Sequence, residues 1–183
     1  ATLVWLMLTE SGLDAGLAGN VGLAPLEIAD KHQIVVFELS SYQTADMAFS
    51  PDIAGITNLS PEHTDWHRDV DRYYRDKLNL IDRDAPFPVA LGRGAHDHPL
   101  VLEAVREKSR LLPPLAPFLA DRIAVAVGRS KLKGEHNLDN ARLAAVIAMK
   151  AGADIEGVVR GIGRFEPLPH RLEEHEFGGV TFV

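Results

Sequence analysis

The chain has 183 residues, of which 46% are hydrophobic and 25% charged, and its net charge is −7. This length suits one domain or one and a half, and the composition is typical of a soluble globular protein. The negative charge argues against non-specific binding to nucleic acid or to an anionic membrane, and the absence of cysteine excludes disulfides, thiolate metal sites and a cysteine nucleophile. The first apolar run, residues 3–8, is too short to span a bilayer and lacks the features of a signal peptide, which predicts a cytoplasmic protein.

Hydrophobic periodicity predicts helices and strands along the whole chain. Residues 1–11 are a predicted helix that Gly12 ends, and no capping residue precedes it. The predicted strands that follow are residues 33–39, 52–58, 87–91, 122–127 and 180–183. The predicted helices are residues 41–49, 71–84, 100–109, 137–151 and 154–163, the last with Asp154 as its N-cap. Because both ends of the chain fall inside predicted elements, we expect a domain that is truncated at both ends.

Strands that alternate with helices indicate an α/β fold with a mainly parallel, doubly wound sheet flanked by helices. In such sheets, ligands bind beyond the carboxyl ends of the strands. Two polar stretches follow predicted strand ends here, residues 38–41 and residues 58–65. If their strands are neighbours, both stretches face the same crevice.

Glu38 closes a strand that is otherwise apolar, where a carboxylate is unfavourable unless it is paired or binds a metal. Ser40 and Ser41 follow with hydroxyl oxygens. Oxygen ligands at a strand end suit Mg²⁺, which takes one or two protein carboxylates together with phosphates. A strand-end glutamate that caps the following helix explains the same residues equally well.

The loop after the next strand concentrates polar side chains that can bind metals or ligands: Asn58, Glu62, His63, Asp65 and His67. A solvated loop with helix-capping residues is the ordinary interpretation of such a cluster. The spacing of His63 and His67 also permits a transition-metal pair, which would indicate a metal-dependent hydrolase that binds Zn²⁺.

Lys77 shares a predicted helix face with Tyr73, Tyr74, Leu78 and Ile81, which cover its stem. A lysine in this position usually extends its charge to water. Held away from water, it can instead be a neutral amine. A neutral amine adds CO₂ to give a carbamate, which is an anionic metal ligand.

Four further polar groups stand at predicted turns or helix starts. Asn20 lies between glycines in residues 18–22, and Arg171 ends the turn over residues 167–171. Asn137 is the predicted N-cap of its helix, and Asn140 lies one turn later. Two amides in this position can read an adenine edge, because amides both donate and accept hydrogen bonds. Ordinary helix capping and polarity also explain Asn137 and Asn140, and a surface loop also explains Arg171.

Six motifs in this order give the sequence a specific resemblance: residues 18–22 (AGNVG), 38–44 (ELSSYQT), 58–67 (NLSPEHTDWH), 73–78 (YYRDKL), 134–140 (GEHNLDN) and 168–171 (LPHR). Together they resemble the central, ATP-binding domain of the Mur ligase family, and most of all its members that join glutamate to UDP-N-acetylmuramoyl-L-alanine in peptidoglycan precursor synthesis. The resemblance covers nearly the whole chain except residues 86–130. The motif sequences are closer to the members that add L-glutamate than to those that add D-glutamate.

The resemblance implies a role for each matching residue. Glu38 would bind the Mg²⁺ that bridges the ATP phosphates, His63 would lie at a second Mg²⁺, and Lys77 would be carbamylated, the three together forming the catalytic metal site. The implied substrate-binding residues are Asn20 and Ser40, and the implied nucleotide-binding residues are Asn137, Asn140 and Arg171. No role falls to His67, and Glu62 stands where many relatives have aspartate.

By resemblance, the complete enzyme uses ATP and two Mg²⁺ ions to phosphorylate the alanyl carboxylate of UDP-N-acetylmuramoyl-L-alanine, and the glutamate amine then attacks the acyl phosphate. The N-terminal UDP-binding and C-terminal glutamate-binding domains of the family are absent from the 183 residues, and so is a GxxGK[ST] phosphate loop. We therefore expect this chain alone to be inactive. Two alternatives are a ligase that resembles folylpolyglutamate synthase and a non-catalytic nucleotide-binding module that has lost its phosphate loop.

Overall fold

The computed structural model describes residues 1–81, 87–108, 110–167, 175–177 and 180–182. Its strands are β1 (Ala15–Gly19), β2 (Ile34–Glu38), β3 (Ala54–Asn58), β4 (Pro88–Gly92), β5 (Arg110–Leu111), β6 (His175–Phe177) and β7 (Val180–Phe182). Its helices are α1 (Thr2–Glu10), α2 (Pro25–Ile28), α3 (Ser41–Ala45), α4 (Thr64–His67), α5 (Val70–Leu78), α6 (Arg93–His96), α7 (Pro99–Lys108), α8 (Pro117–Gly128), α9 (Glu135–Lys150) and α10 (Ile155–Arg164).

The strands form two parallel sheets and one antiparallel hairpin. The first sheet pairs β1 with β2, in register from Ala15↔Ile34 to Gly19↔Glu38, and the second has the order β3–β4–β5. The hairpin is formed by β6 and β7. The predicted α/β fold, with parallel strands flanked by helices, is confirmed. The parallel strands are divided between two sheets, however, and no ladder joins β2 to β3 in the part of the chain that the structure describes.

The first strand, β1, is absent from the sequence prediction because its sequence AGLAG contains no β-branched residue and two glycines. Its conformation comes from pairing, since every residue of β1 lies opposite a residue of β2. Gly19 ends the strand with a φ of 102°, and a Cβ at this position would collide with the backbone of Glu38. Glycine therefore allows the ends of the two strands to lie against each other.

Two apolar clusters support the sheets. The larger joins α1, α8, α9 and α10 to the sheet of β1 and β2, and the smaller joins α5 and α7 to β3 and β4. Helices α1 and α10 approach closely, because a Cβ on Gly161 would lie only 2.7 Å from the backbone nitrogen of Met7. At the end of α1, the Arg160 side chain donates a hydrogen bond to the carbonyl oxygen of Glu10 over 2.6 Å. Among the described helices, none is long and apolar enough to cross a membrane.

The predicted strand over residues 122–127 is wrong, because these residues lie within α8. The alternation of Ile123, Val125 and Val127 resembles a strand pattern. In the helix, however, Ile123 and Val127 are one turn apart and both buried, whereas Val125 is 53% exposed. Pro117 occupies the first turn, where its missing N–H leaves no hydrogen bond unmade. The packing of one helical face therefore decides the conformation of this segment.

Helices α3 and α5 end earlier than predicted, whereas α10 has the predicted cap and length. Helix α3 ends at Ala45 rather than at residue 49, and it starts with a capping box between Ser40 and Gln43. Helix α5 ends at Leu78, and residues 82–84 of the predicted helix lie outside the described residues. Helix α10 begins as predicted after Asp154, whose carboxylate accepts a hydrogen bond from the backbone N–H of residue 157 over 2.6 Å.

Candidate functional site

Asn20 and Glu38 lie side by side at the carboxyl ends of β1 and β2. The backbone N–H of Asn20 donates a hydrogen bond to the carbonyl oxygen of Glu38 over 2.7 Å. The Glu38 side chain is 38% exposed, so its carboxylate is open to a ligand. Two residues that the sequence assigns to different ligands therefore share one edge of the sheet.

Helix α1 starts at the same edge. The amino nitrogen of Ala1 lies 3.8 Å from Oε2 of Glu38. The first turn of a nine-residue helix thus lies beside the carboxylate that the sequence predicts to bind Mg²⁺.

Ser40 follows Glu38 by two positions and is the N-cap of α3. Its hydroxyl accepts a hydrogen bond from the backbone N–H of Gln43 over 3.4 Å and donates one to the Gln43 side-chain oxygen over 3.1 Å. The alternative that Glu38 caps this helix is therefore wrong, because Ser40 is the cap. A hydroxyl has two acceptor lone pairs, so one of them is left over for a donor on a substrate.

His63 lies beyond the carboxyl end of β3, directly before α4. Its φ of 52° is in the left-handed region that non-glycine residues rarely adopt, and such strain is concentrated at functional sites. The side chain is 51% exposed, and Nε2 is 4.0 Å from Oε2 of Glu62. The ring packs against that of Tyr42 in α3, with centroids 5.2 Å apart. This contact joins the segment that follows Glu38 to the segment that carries His63.

Lys77 lies in α5 beside the buried ring of Tyr73. Its Nζ donates a hydrogen bond to the Tyr73 hydroxyl over 2.8 Å and lies 5.1 Å from the ring centroid. The Tyr73 ring contacts that of His67, and the His67 ring packs in turn on Tyr42, with centroid separations of 5.1 and 5.5 Å. A continuous series of contacts therefore runs from Lys77 through these rings to His63.

His67 is buried, and both of its ring nitrogens have partners. Nδ1 lies 2.8 Å from Oδ2 of Asp76, and Nε2 lies 2.9 Å from Oγ of Ser41. Neither nitrogen is left to bind a metal. The alternative of a Zn²⁺ pair formed by His63 and His67 is therefore wrong.

The two asparagines predicted to read adenine lie in the first turns of α9. This helix begins after Gly134, with a φ of 86°, so the prediction that Asn137 is the N-cap is wrong. Glycine is tolerated at an N-cap, and here its positive φ turns the chain into the helix. The Asn137 side chain donates instead to the carbonyl oxygen of Lys133 over 2.7 Å, whereas Asn140 is exposed.

An ion pair shows where these first turns lie. Arg93, which directly follows β4, is 3.8 Å from the carboxylate of Asp139 in α9. The start of α9 is therefore near the carboxyl end of β4. Arg171, the third residue predicted to contact the nucleotide, lies outside the described residues.

Within the described residues, no three His, Cys, Asp or Glu side chains are grouped so that they could hold a metal ion by themselves. The side chains that fit Mg²⁺ are the solvent-open carboxylate of Glu38 and the solvent-open imidazole of His63, at the ends of β2 and β3. Mg²⁺ in phosphate sites takes one or two protein groups and completes its shell with phosphate oxygens and water. The donor set therefore fits an ion that arrives with a nucleotide.

Residues 20–91 match the model of the Mur ligase middle domain. Over its full length, the chain is 32% identical to the UDP-N-acetylmuramoylalanine–D-glutamate ligase of Lawsonia intracellularis and 33% identical to the UDP-N-acetylmuramoyl-L-alanine–L-glutamate ligase of a Micromonospora species. The chain belongs to the Mur ligase family. It spans 41% and 44% of the length of these two relatives, so it corresponds to less than half of such an enzyme.

Solved structures share the fold of this Mur ligase chain. MurF from Acinetobacter baumannii superposes with a TM-score of 0.67 at 17% identity, covering 98% of this chain and 46% of that protein. A point mutant of L. casei FPGS superposes with a TM-score of 0.61 at 13% identity, covering 96% of this chain and 62% of that protein. At these identities the likeness concerns the α/β fold alone.

Several residues of the candidate site are not distinguished by their sequence pattern. Gln43 has a local signal, because a serine followed three positions later by glutamine predicts a capping box. Tyr42, Asp76 and Asn79 have none. Their importance comes from contacts with residues far away in the sequence, which only the fold brings together.

Proposed function

We propose that this chain is the central, ATP-binding domain of a ligase that adds glutamate to UDP-N-acetylmuramoyl-L-alanine in peptidoglycan precursor synthesis. Membership of the Mur ligase family supports an ATP-dependent ligase. The names of the similar relatives support this acceptor, with glutamate as the D- or the L-isomer.

The observation that carries the proposal is the ring contact between Tyr42 and His63. Tyr42 belongs to the helix that follows β2 and its terminal residue Glu38, whereas His63 follows β3. The two parallel sheets are separate in their hydrogen bonding, so side-chain contacts of this kind between α3 and the segment after β3 relate one candidate metal ligand to the other. It supports a single metal and phosphate site at the carboxyl ends of the strands.

Each matching residue then has a role that its surroundings allow. Glu38 and His63 would hold Mg²⁺, which when bound neutralises the charge of the ATP phosphates and of the acceptor carboxylate. Lys77, held by the Tyr73 hydroxyl, would contribute an anionic oxygen ligand after carbamylation. Asn20 has its backbone N–H engaged by the Glu38 carbonyl and presents an exposed side-chain amide to the acceptor substrate.

In the proposed reaction the alanyl carboxylate takes the γ-phosphoryl group of ATP and releases ADP, and the glutamate amine then displaces phosphate from the acyl phosphate to give the amide. Such a reaction depends on positioning and on charge stabilisation rather than on a protein nucleophile. The complete enzyme would supply separate UDP-binding and glutamate-binding domains, consistent with the greater length of the relatives. Because the 183 residues contain no GxxGK[ST] loop, we expect them alone to release no phosphate from ATP.

The test measures phosphate release from ATP by the complete ligase with UDP-N-acetylmuramoyl-L-alanine and either isomer of glutamate. Glu38→Gln should lower kcat by about a hundredfold or more, because a charged ligand is lost from a charge-neutralising site. Glu103→Gln is the matched control, since Glu103 is exposed on α7, and it should leave kcat unchanged. Wild-type enzyme that is silent with this acceptor but active with a folate would refute the proposal and favour a folylpolyglutamate-synthase-like ligase.

A further inference from the structure

Ser41, His67 and Asp76 form a buried relay between three helices. Ser41 starts α3, His67 ends α4, and Asp76 lies in α5. Nδ1 of His67 donates to the Asp76 carboxylate, and Nε2 shares a hydrogen bond with the Ser41 hydroxyl, at 2.8 and 2.9 Å respectively. The proposed ligand set uses none of these three side chains.

The same three side-chain types form the nucleophile, the general base and the carboxylate that orients the base in many hydrolases. Here, however, Ser41 is only 5% exposed and His67 is fully enclosed, so the hydroxyl is closed to a substrate. A buried polar group is tolerated when it has hydrogen-bond partners inside the protein. The two hydrogen bonds of this network give partners to all three buried side chains. Asp76 also accepts a hydrogen bond from Nε of Arg72 over 3.3 Å, which further compensates its buried charge. The relay therefore joins helices rather than activating a nucleophile.

A second contact attaches the other end of α3 to the same partner helix. The side-chain amide of Asn79, directly after α5, donates to the carbonyl oxygens of Thr44 over 2.7 Å and of Met47 over 3.3 Å. Helix α3 has five residues, too few to be stable in isolation, so its position depends on such attachments. In the sequence, Lys77 lies between Asp76 and Asn79, the two residues through which α5 and its end hold α3.

We propose that His67 is a positioning residue of the candidate metal site. Through Ser41 and Asp76 it holds α3 against α5, and it thereby fixes Glu38, three residues before α3 begins, relative to Lys77. The ring of His67 also packs on Tyr73, whose hydroxyl accepts the hydrogen bond from Lys77. That a metal binds at this site depends on the proposed function, whereas the attachment of α3 to α5 is observed independently of it.

The test uses His67→Gln in the complete ligase. The two nitrogens of an imidazole point away from each other, whereas the polar atoms of a glutamine amide lie at one end, so glutamine cannot bridge Ser41 and Asp76. Amide hydrogen exchange of residues 41–45 should become faster. The affinity for Mn²⁺ in the presence of a non-hydrolysable ATP analogue should fall by about tenfold, the usual effect of losing a group that orients metal ligands. His96→Gln, at an exposed histidine on α6, should match the wild type in both measurements.

Ser41→Ala is the second variant, because it removes one hydroxyl and keeps the pair of His67 and Asp76 that supports folding. It should change exchange and Mn²⁺ affinity in the same directions by smaller amounts. Faster exchange with unchanged Mn²⁺ affinity would overturn the inference, since the relay would then stabilise α3 without positioning a metal site. Wild-type values of both exchange and Mn²⁺ affinity would also overturn it. A wild-type ligase that binds no Mn²⁺ with the analogue would overturn the proposed function instead, and exchange in the variants would still report whether the relay holds α3.

Discussion

The side-chain amide of Asn79 donates a hydrogen bond to the carbonyl oxygen of Thr44, at the end of α3, over 2.7 Å. Longer bonds from the same amide reach the carbonyl oxygens of Ala45 and Met47, both at 3.3 Å. The last carbonyl groups of a helix have no partner within it. One side chain from the end of α5 therefore completes the hydrogen bonding of a helix that begins 38 positions earlier in the sequence, at Ser41.

Replacing Asn79 with alanine should lower the free energy of unfolding by about 0.5–1.5 kcal/mol, because the carbonyl of the buried residue Thr44 loses its shortest hydrogen bond and keeps only a longer one from the N–H of Met47. Asn79→Asp is the matched variant, since it keeps the size of the side chain but presents only oxygen atoms to the carbonyl groups. It should destabilise the protein at least as much. Urea unfolding of both variants measures the change, and an aspartate variant as stable as the wild type would show that the amide contributes nothing.

Lys77→Ala in the complete ligase should lower the activity by about a hundredfold or more, because a charge-neutralising site loses an anionic ligand. Added formate or acetate should restore part of the activity by entering the cavity as the missing ligand. Lys77→Arg should fail as well, since arginine cannot deprotonate to take up CO₂. Lys150→Ala, at an exposed lysine at the end of α9, is the control. Near-normal activity of Lys77→Ala would show that Lys77 has no part in catalysis. An inactive variant that neither formate nor acetate reactivates would contradict a carbamate at this position.

Asn140→Ala should raise the KM for ATP by about tenfold, the effect of one lost hydrogen bond of roughly 1.4 kcal/mol, without changing stability. Asn137→Ala should raise this KM and also lower the melting temperature, because the side chain holds the carbonyl group of Lys133. Steady-state kinetics with varied ATP, combined with thermal melts, separate the two effects. An unchanged KM in both variants would remove these amides from the adenine site.

Gly161→Ala should destabilise the chain by about 1–3 kcal/mol, because its Cβ would press on the backbone of α1 at Met7, which cannot move as a side chain could. Gly163→Ala is a control in the same helix, since a Cβ there meets no atom within 4 Å. It should stabilise the chain by up to about 1 kcal/mol through helix propensity. Thermal unfolding of the pair tests the close approach of α1 and α10, and equal stabilities would argue against it.

Elements with strong local signals are predicted well. Helix α9 is expected over residues 137–151 and found at Glu135–Lys150, and the Asp154 cap of α10 is confirmed. The failures occur where tertiary contacts override local preference. Strand β1 has a sequence unsuited to a strand and is extended because β2 pairs with it, whereas α8 has a strand-like alternation that helix packing overrides.

The candidate site shows the same division. Motifs that extend over a few residues single out Glu38, His63 and Lys77, and the structure places the first two at strand ends. The sequence offers His67 only as half of a metal pair, and its observed role is missed because its partners, Asp76 and Ser41, are 9 and 26 positions away in two other helices. No local pattern encodes a hydrogen-bond network of that kind, so only the fold reveals it.

The contact between α1 and α10 determines when the domain can fold during synthesis. Glu10 and Arg160 are 150 positions apart, so the ribosome must make nearly all of the described chain before α1 meets this partner. Until then, the apolar face of α1 around Met7 is exposed, and closing so long a loop is entropically unfavourable and slow. Exposed apolar surface in an incomplete chain favours aggregation. In a nascent chain with this arrangement, the apolar face of α1 therefore lacks its α10 partner until α10 has emerged.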